Sequence, residues 1–308
     1  MSLLEAWSRI DTLSFEGESV RTETDKATGE TVSSPEPSRF KCWMSDLQLN
    51  RARWKCDETG RSWECVHFID PIRYRVEFSP RVCRWRNGSA PFLVMSEIQA
   101  CDGKDVVSEE RSRSRRTRYI LDDYREGKWL HLFDLGLRCL PPFLSISPNL
   151  VIGEIDAQSL APQAGQNTHT PQYTVKFPDY LLTVDVTWDA TRHWFTKIES
   201  TRLGMPSVLL EKLRRKENLS REEETRLRTE REVIETESFL ADDFEESPQA
   251  GIYFPRKLSF SNDWRDKRLE TWTWTFKKWM ANVPVPNELF RLEIPAGCHV
   301  HDRRKTSS

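Results

Sequence analysis

The stretch Glu270-Thr-Trp-Thr-Trp-Thr-Phe276 puts Trp272, Trp274 and Phe276 on one parity and threonines on the other. A period of two is the signature of a strand with one apolar face. The same alternation recurs upstream. Phe40, Cys42 and Met44 share a parity, and Ile72, Tyr74, Val76 and Phe78 alternate with Arg73, Arg75 and Glu77. Residues 13–23, 81–86 and 93–100 extend this first series. A second series opens with Tyr173, Val175 and Phe177. It continues through Leu182, Val184, Val186 and Trp188, then Trp194, Thr196 and Ile198, and resumes over 232–240, 252–260, 269–280 and 290–294. Asp57-Glu-Thr-Gly60 between Trp54 and Trp63, and Asp189-Ala-Thr-Arg192 before Trp194, are hairpin signals. The recurrence predicts a mainly β (α+β) protein with one large curved antiparallel sheet, a half-barrel. The two series leave one sheet or two open.

Helical period is confined to a few places. Leu3, Leu4, Trp7 and Ile10 form one stripe over residues 2–11, and 121–140 has irregular helical spacing that Pro141-Pro142 stops. After Pro206 the run 208–216 is helix-like, and Ser220 with Glu223 has capping-box spacing for a second helix. The spacing predicts a helical hairpin inserted at about 205–228. Residues 103–118, rich in arginine, read as a solvated loop, and 154–171 as a surface connection. The expected organisation is a single domain over 1–302, with the helices at 2–11 and 121–140 against the concave face and a disordered tail at 303–308.

The 308 residues carry a net charge of −2, with 37% hydrophobic and 31% charged residues, so no global field draws the chain to nucleic acid or anionic membrane. No window approaches a membrane span of roughly 18–20 apolar residues. The start Met-Ser-Leu-Leu-Glu-Ala-Trp lacks a basic and then greasy export signal, which read literally means a cytoplasmic protein. Seven cysteines include no CxxC pair. Cys42 and Cys56 would face each other if the chain folds back near Gln48 to Asn50, giving a disulfide; the other reading is two half-buried thiols.

Candidate chemistry is thin. Cys298-His299-Val-His301-Asp302 and Cys65-Val-His67 each offer ligands two residues apart, one face of a strand, yet nothing brings the two clusters together as a four-ligand zinc site requires. No metal or cofactor is expected. The nucleophile-elbow, zincin and phosphate-loop patterns are all missing. Asp122-Asp123 and Asp242-Asp243 are neighbours that do not converge on a substrate, and they read as solvated turns.

Three segments are similar to the LolA/LolB-like lipoprotein-carrier superfamily, above all to large planctomycete-type envelope proteins. Val186-Thr-Trp-Asp189 turning into His193-Trp-Phe-Thr-Lys-Ile198 resembles the family's central hairpin. Gly251-Ile-Tyr-Phe-Pro255-Arg-Lys-Leu258, after the acidic turn 242–246, resembles its glycine–aromatic–proline strand. Asn282 to Phe290, Ile294-Pro-Ala-Gly297 and Val300-His-Asp302 resemble its closing strand and tail. The resemblance implies a curved sheet, apolar on its concave side, that holds an acyl chain in the periplasm or cell envelope. It implies no catalytic residue.

The leading expectation is therefore a non-catalytic carrier or sensor of a lipid or lipoprotein acyl chain. Phe40, Tyr74, Val76, Phe78, Val184, Val186, Trp272, Trp274 and Phe276 are its candidate cavity lining. The alternative is an interaction or scaffolding module with a filled core, its partner docking on the 205–228 hairpin. An enzyme of unrecognised type is the third class. Neither nucleic-acid binding nor integration into the membrane is expected.

Overall fold

Leu13 pairs with Ala281, and the two strands that hold them stay in contact until Asp25 meets Arg268. The first strand of the chain and the last long one are thus neighbours. The computed structural model describes residues 9–33, 36–55, 62–79, 81–83, 92–112, 117–123, 168–169, 172–176, 180–189, 191–192, 194–215, 217–248, 251–265 and 267–304. Most of the helix expected over 2–11 and most of that over 121–140 lie outside these residues; the described 9–11 are turn and bend.

The first series comprises β1 (Thr12–Asp25), β2 (Thr31–Ser33), β3 (Ser38–Lys55), β4 (Ser62–Ser79), β5 (Arg81–Cys83), β6 (Phe92–Cys101), β7 (Asp105–Ser112) and β8 (Thr117–Asp123). The second comprises β9 (Thr168–His169), β10 (Gln172–Lys176), β11 (Tyr180–Asp189), β12 (Trp194–Gly204), β13 (Glu232–Ser247), β14 (Ile252–Trp264) and β15 (Arg268–Ala281), with β16 (Val300–Asp302) near the end. All belong to one open sheet of order β10-β11-β12-β13-β14-β15-β1-β3-β4-β6-β7-β8-β16. The two series are two meanders, and the β15–β1 pairing joins them into a single curved sheet. Among the described residues every pairing is antiparallel except β16 on β8.

Strand parity survives because bulges correct it locally. β15 carries one extra residue opposite the Glu16–Gly17 step, so Trp279 and Phe276 occupy successive positions on one face although their parities differ. β3 shifts register in the same way at Gln48–Asn50, whereas Asp46 in β3 and Asp243 in β13 take positive φ (53° and 54°) with the register on either side unchanged. Such bulges bend a strand and raise its twist, which is how a wide sheet curves. The face bearing Phe15, Phe40 and Phe276 is called inner here. On the outer face Glu18 pairs with Arg39 and Glu16 with Lys41, both at 3.7 Å, as a solvated surface does.

Between β12 and β13 stand α1 (Ser207–Arg214) and α2 (Arg221–Thr229), the helical hairpin predicted from sequence. The capping box is present: Ser220 Oγ accepts from the Glu223 amide, and the Glu223 carboxylate accepts from the Ser220 amide. Among the described residues no helix is long and apolar enough to cross a membrane.

Several expectations are corrected. The arginine-dense 103–118 is largely strand, β7 and the start of β8, not a loop. Asp102 Oδ1 accepts from the amides of Lys104 and Asp105 to turn the chain at Gly103, and Val106 then fills an inner position opposite Cys101. Polarity misled because outward arginines sit comfortably on a paired strand, as Arg111 does beside Glu109 at 2.6 Å. Residues 121–123 close β8 and are not the start of a helix, and His169, expected in a surface connection, pairs with Trp188. Residues 242–246 lie within β13; the turn comes later, where Gly251 (φ 63°) donates to Ser247 O at 2.9 Å.

The chain does not fold back at Gln48–Asn50. It bulges there and continues as β3, so Cys42 lies deep within the same strand that ends one residue before Cys56. Strand rise of about 3.3 Å per residue separates the two beyond any disulfide, and Cys42 is a free, buried thiol.

Residues 290–294 are not a strand either. From Ala281 the chain leaves the sheet and crosses the outer face as a strap. A 3-10 turn, Asn287–Phe290, buries Phe290 to 1% exposure. Arg73 holds Asp46 at 2.5 Å, contacts Asn287 and lies over the Phe290 ring, and Arg75 Nη1 donates to Leu289 O at 3.2 Å. The strap ends as β16, covering the edge of β8, where the Arg303 amide donates to Leu121 O at 2.8 Å. An uncovered edge is a template for misassociation, so this strand also protects the sheet.

Candidate functional site

The inner face carries a continuous run of aromatic rings. Phe40 and Phe276 meet edge to face at 5.6 Å, and both touch Phe15. Phe276 lies 4.5 Å from Trp279, which stacks on Phe254 at 4.7 Å and 14°. Phe254 then meets Trp194 at 6.0 Å. Each such pair adds about 0.5–1.5 kcal/mol beyond area burial. The run needs Gly17 beneath it: a Cβ there would lie 2.8 Å from the Phe40 ring and 2.3 Å from Thr275 O.

Register sorts the inner face into rows running across the strands. One row is Arg21, Trp272, Phe260, Phe239 and Ile198, and the row beside it, nearer the middle of the sheet, is Ser19, Trp274, Leu258 and Ala241. The next row outward is wholly polar: Glu23, Glu270, Asn262, Glu237 and Ser200. Beyond it come Trp264, Glu235 and Arg202, with Arg268 paired to Trp264. The face therefore changes from apolar to polar within one strand repeat.

Hydrogen bonds fill the polar rows. Glu270 accepts from Trp272 Nε1 and Arg21 Nη2, both at 2.6 Å. Arg202 pairs with Glu235 at 2.8 Å, and Asn262 Nδ2 donates to Glu235 (3.0 Å) and Glu237 (3.2 Å). The Arg21 guanidinium also covers the Trp272 ring at 4.8 Å, and Trp272 stacks on Trp274. At the rim beside this belt a hollow of about 420 Å³ is lined by Glu23, Asp25, Glu30, Val32, Lys267 and Arg268. On the other meander the inner face also turns polar, where Tyr74 donates to Gln99 and Gln99 to Ser108.

Seven of the nine candidate lining residues have described side chains. Phe40, Tyr74, Val76, Phe78, Trp274 and Phe276 are at most 5% exposed on the inner face, and Trp272 is half-buried. The side chains of Val184 and Val186 lie outside the described residues. By register Val186 belongs opposite Ile198 in an apolar row, while Val184 falls opposite Ser200 in the polar one. Sequence reasoning missed Phe15, Phe254 and Trp279. The parity slip hides Trp279, and no local pattern reveals that Phe15 is its neighbour. Glu270 was legible, since it shares the parity of Trp272.

No known protein family matches this chain. No curated protein matches it. Among solved structures it is similar to the LolA superfamily protein NE2245 from Nitrosomonas europaea: 8% identity, 94% of this chain and 96% of that one covered, TM-score 0.28. It also overlaps the S. cerevisiae core factor, at 8% identity and a TM-score of 0.13 over 83% of this chain and 46% of that one. Overlaps this loose carry no weight in the functional reading, which rests on the face itself.

Among the described residues no three His, Cys, Asp or Glu side chains converge as metal ligands. Cys298, His299 and His301 are exposed and lie beside or on the β8 edge, three strands from β4, which carries Cys65 and His67. Asp122 lies on β8, and Asp242 and Asp243 within β13, so neither acidic pair forms a turn. Burial raises the Cys42 thiol well above its ordinary range; burial, with Asp102 and Asp105 nearby, pushes Cys101 up to about 12. A maleimide at about pH 8 reacts with thiolate, so peptide mapping of the folded protein will find Cys298 labelled and Cys42 and Cys101 unlabelled until denaturant is added. Labelling of Cys42 in the native state would contradict its place under the inner face.

Proposed function

We propose that this protein is a non-catalytic binding protein that holds a lipid or an acyl chain along the aromatic half of the inner face. One observation carries the reading: the ring run from Phe40 to Trp194 and the apolar rows beside it end at a polar row on the same face. A surface apolar over several strands and polar at one end matches an amphiphile. Chain transfer from water to that face yields about 0.8 kcal/mol per methylene. The nine candidates from Phe40 to Phe276 are the lining in this reading, with Val184 near the head-group end. The cell envelope is the compartment that goes with it, on the likeness of segments 186–198, 251–258 and 282–302 to lipoprotein-carrier sequences.

The test is native mass spectrometry of protein purified without detergent, followed by displacement of a fluorescent fatty acid. Bound lipid and a displaceable probe are the expected results. Protein free of both overturns the reading.

The burial of Phe40, Tyr74 and Val76 to 0–2% exposure supports a second reading, a filled core whose working surface is the α1–α2 hairpin. That hairpin presents Val208 at 67% and Leu213 at 44% exposure. Deleting residues 207–228 separates the two: an interaction module loses its partner, whereas a carrier keeps its ligand.

A further inference from the structure

Asn262 is 6% exposed and only half satisfied. Its Nδ2 is committed to Glu235 and Glu237 on β13, but its Oδ1 is buried without a hydrogen-bond partner. The amide is planar, so with Nδ2 committed to two carboxylates of β13 the oxygen is directed away from those two groups. The residue opposite Asn262 on β15 is Glu270. An acceptor that can never donate thus sits in an acidic row, with Glu270 and Glu237 in register on its two flanks and Glu23 opposite Glu270. A buried acceptor left unmatched costs about 1–3 kcal/mol, and nothing in the belt supplies the missing donor.

We propose that this polar row is a head-group site for a protonated primary amine, so that the ligand is an amine-bearing amphiphile. The inference rests on the carrier reading above and names the chemistry of its ligand. Three features fit an ammonium group. Neighbouring strands lie about 4.8 Å apart, and an ammonium nitrogen about 2.8 Å from each of two acceptors spans that gap at a tetrahedral angle. The charge agrees: Glu23, Asp25, Glu30, Glu235, Glu237 and Glu270 outnumber Arg21, Arg202, Lys267 and Arg268 across the belt and the hollow. The hollow provides an approach, because Glu23 belongs both to its wall and to the row. A chain leaving such a head group passes directly onto the stacked Trp272 and Trp274.

An N–H donor, and not merely positive charge, is what Asn262 Oδ1 lacks. A quaternary ammonium would gain from the carboxylates and indoles but would leave that oxygen unmatched. A carboxylate head would meet Glu270 and Glu237 and be repelled.

Displacement of the uncharged fluorophore Nile red from the full-length protein tests this, with four probes sharing one chain: dodecylammonium, dodecyltrimethylammonium, dodecanol and dodecanoate. Dodecylammonium is expected to bind at least about tenfold more tightly than each of the others, the worth of one charge-assisted hydrogen bond. In Asn262→Leu and in Glu270→Gln its advantage over dodecanol is expected to shrink toward unity. Equal affinity for the primary and quaternary amines, or for amine and alcohol, overturns the head-group site and leaves the carrier reading standing. Tighter dodecanoate binding does the same. If none of the four chains displaces the probe, the carrier reading itself falls. The wild-type comparison decides even if a variant does not fold.

Discussion

Gly17→Val will destabilise the protein by about 3 kcal/mol or prevent its folding, near the top of the range for overpacked sites. The backbone of Gly17 is not left-handed, so the reason is space. Its missing Cβ is the gap through which β15 bulges, and the nearest obstacle is the Thr275 carbonyl at 2.3 Å, with the Phe276 Cα at 3.1 Å. Phe40 alone could swing aside; a backbone carbonyl in the ladder cannot move without breaking the β1–β15 pairing. That pairing joins the two meanders, so damage there is global. The check is the midpoint of a urea unfolding curve, read against Val20→Ala as a partly exposed control on the same strand. A Gly17→Val protein within about 1 kcal/mol of the parent would show that the two meanders do not depend on this close approach.

Phe276→Ala is expected to cost about 4 kcal/mol, the middle of the range for a buried phenylalanine. The ring is 1% exposed and touches Phe15, Phe40 and Trp279, so its loss opens a cavity at the centre of the aromatic run. Phe276→Leu keeps most of the volume and should recover more than half of the stability. The same series reads on the ligand. If a chain lies on this face, Phe276→Ala weakens its binding more than Phe276→Leu does, in the order of contact area lost. Equal stability of the Ala and Leu variants would mean that the ring sits in a site already free to relax.

Much of the strand structure was legible locally. Phe40-Lys-Cys-Trp-Met44 and residues 72–78 alternate because one face is buried and the other wet, and this needs only the period of two. The Trp54–Trp63 and Trp188–Trp194 hairpins and the capping box at Ser220 were likewise local, and each is present. Failures came where composition stood in for geometry. Arginine density hid β7, and acidic density made a turn of a stretch inside β13. Apolar spacing at 290–294 suggested a strand where Phe290 instead anchors a strap.

What the sequence determined by itself is the parity of each strand, and with it which side chains share a face. That information lies within five or six residues, where steric alternation of the backbone sets it. Tertiary structure alone decided that Leu13 lies beside Ala281, that a bulge brings Trp279 into line with Phe276, and that Glu23, Glu270, Asn262 and Glu237 form one row. Neighbours in a sheet are selected by ladder hydrogen bonds and cross-strand packing between segments far apart in the chain. A single residue of slip would turn the polar row outward, and no local pattern records which register was chosen.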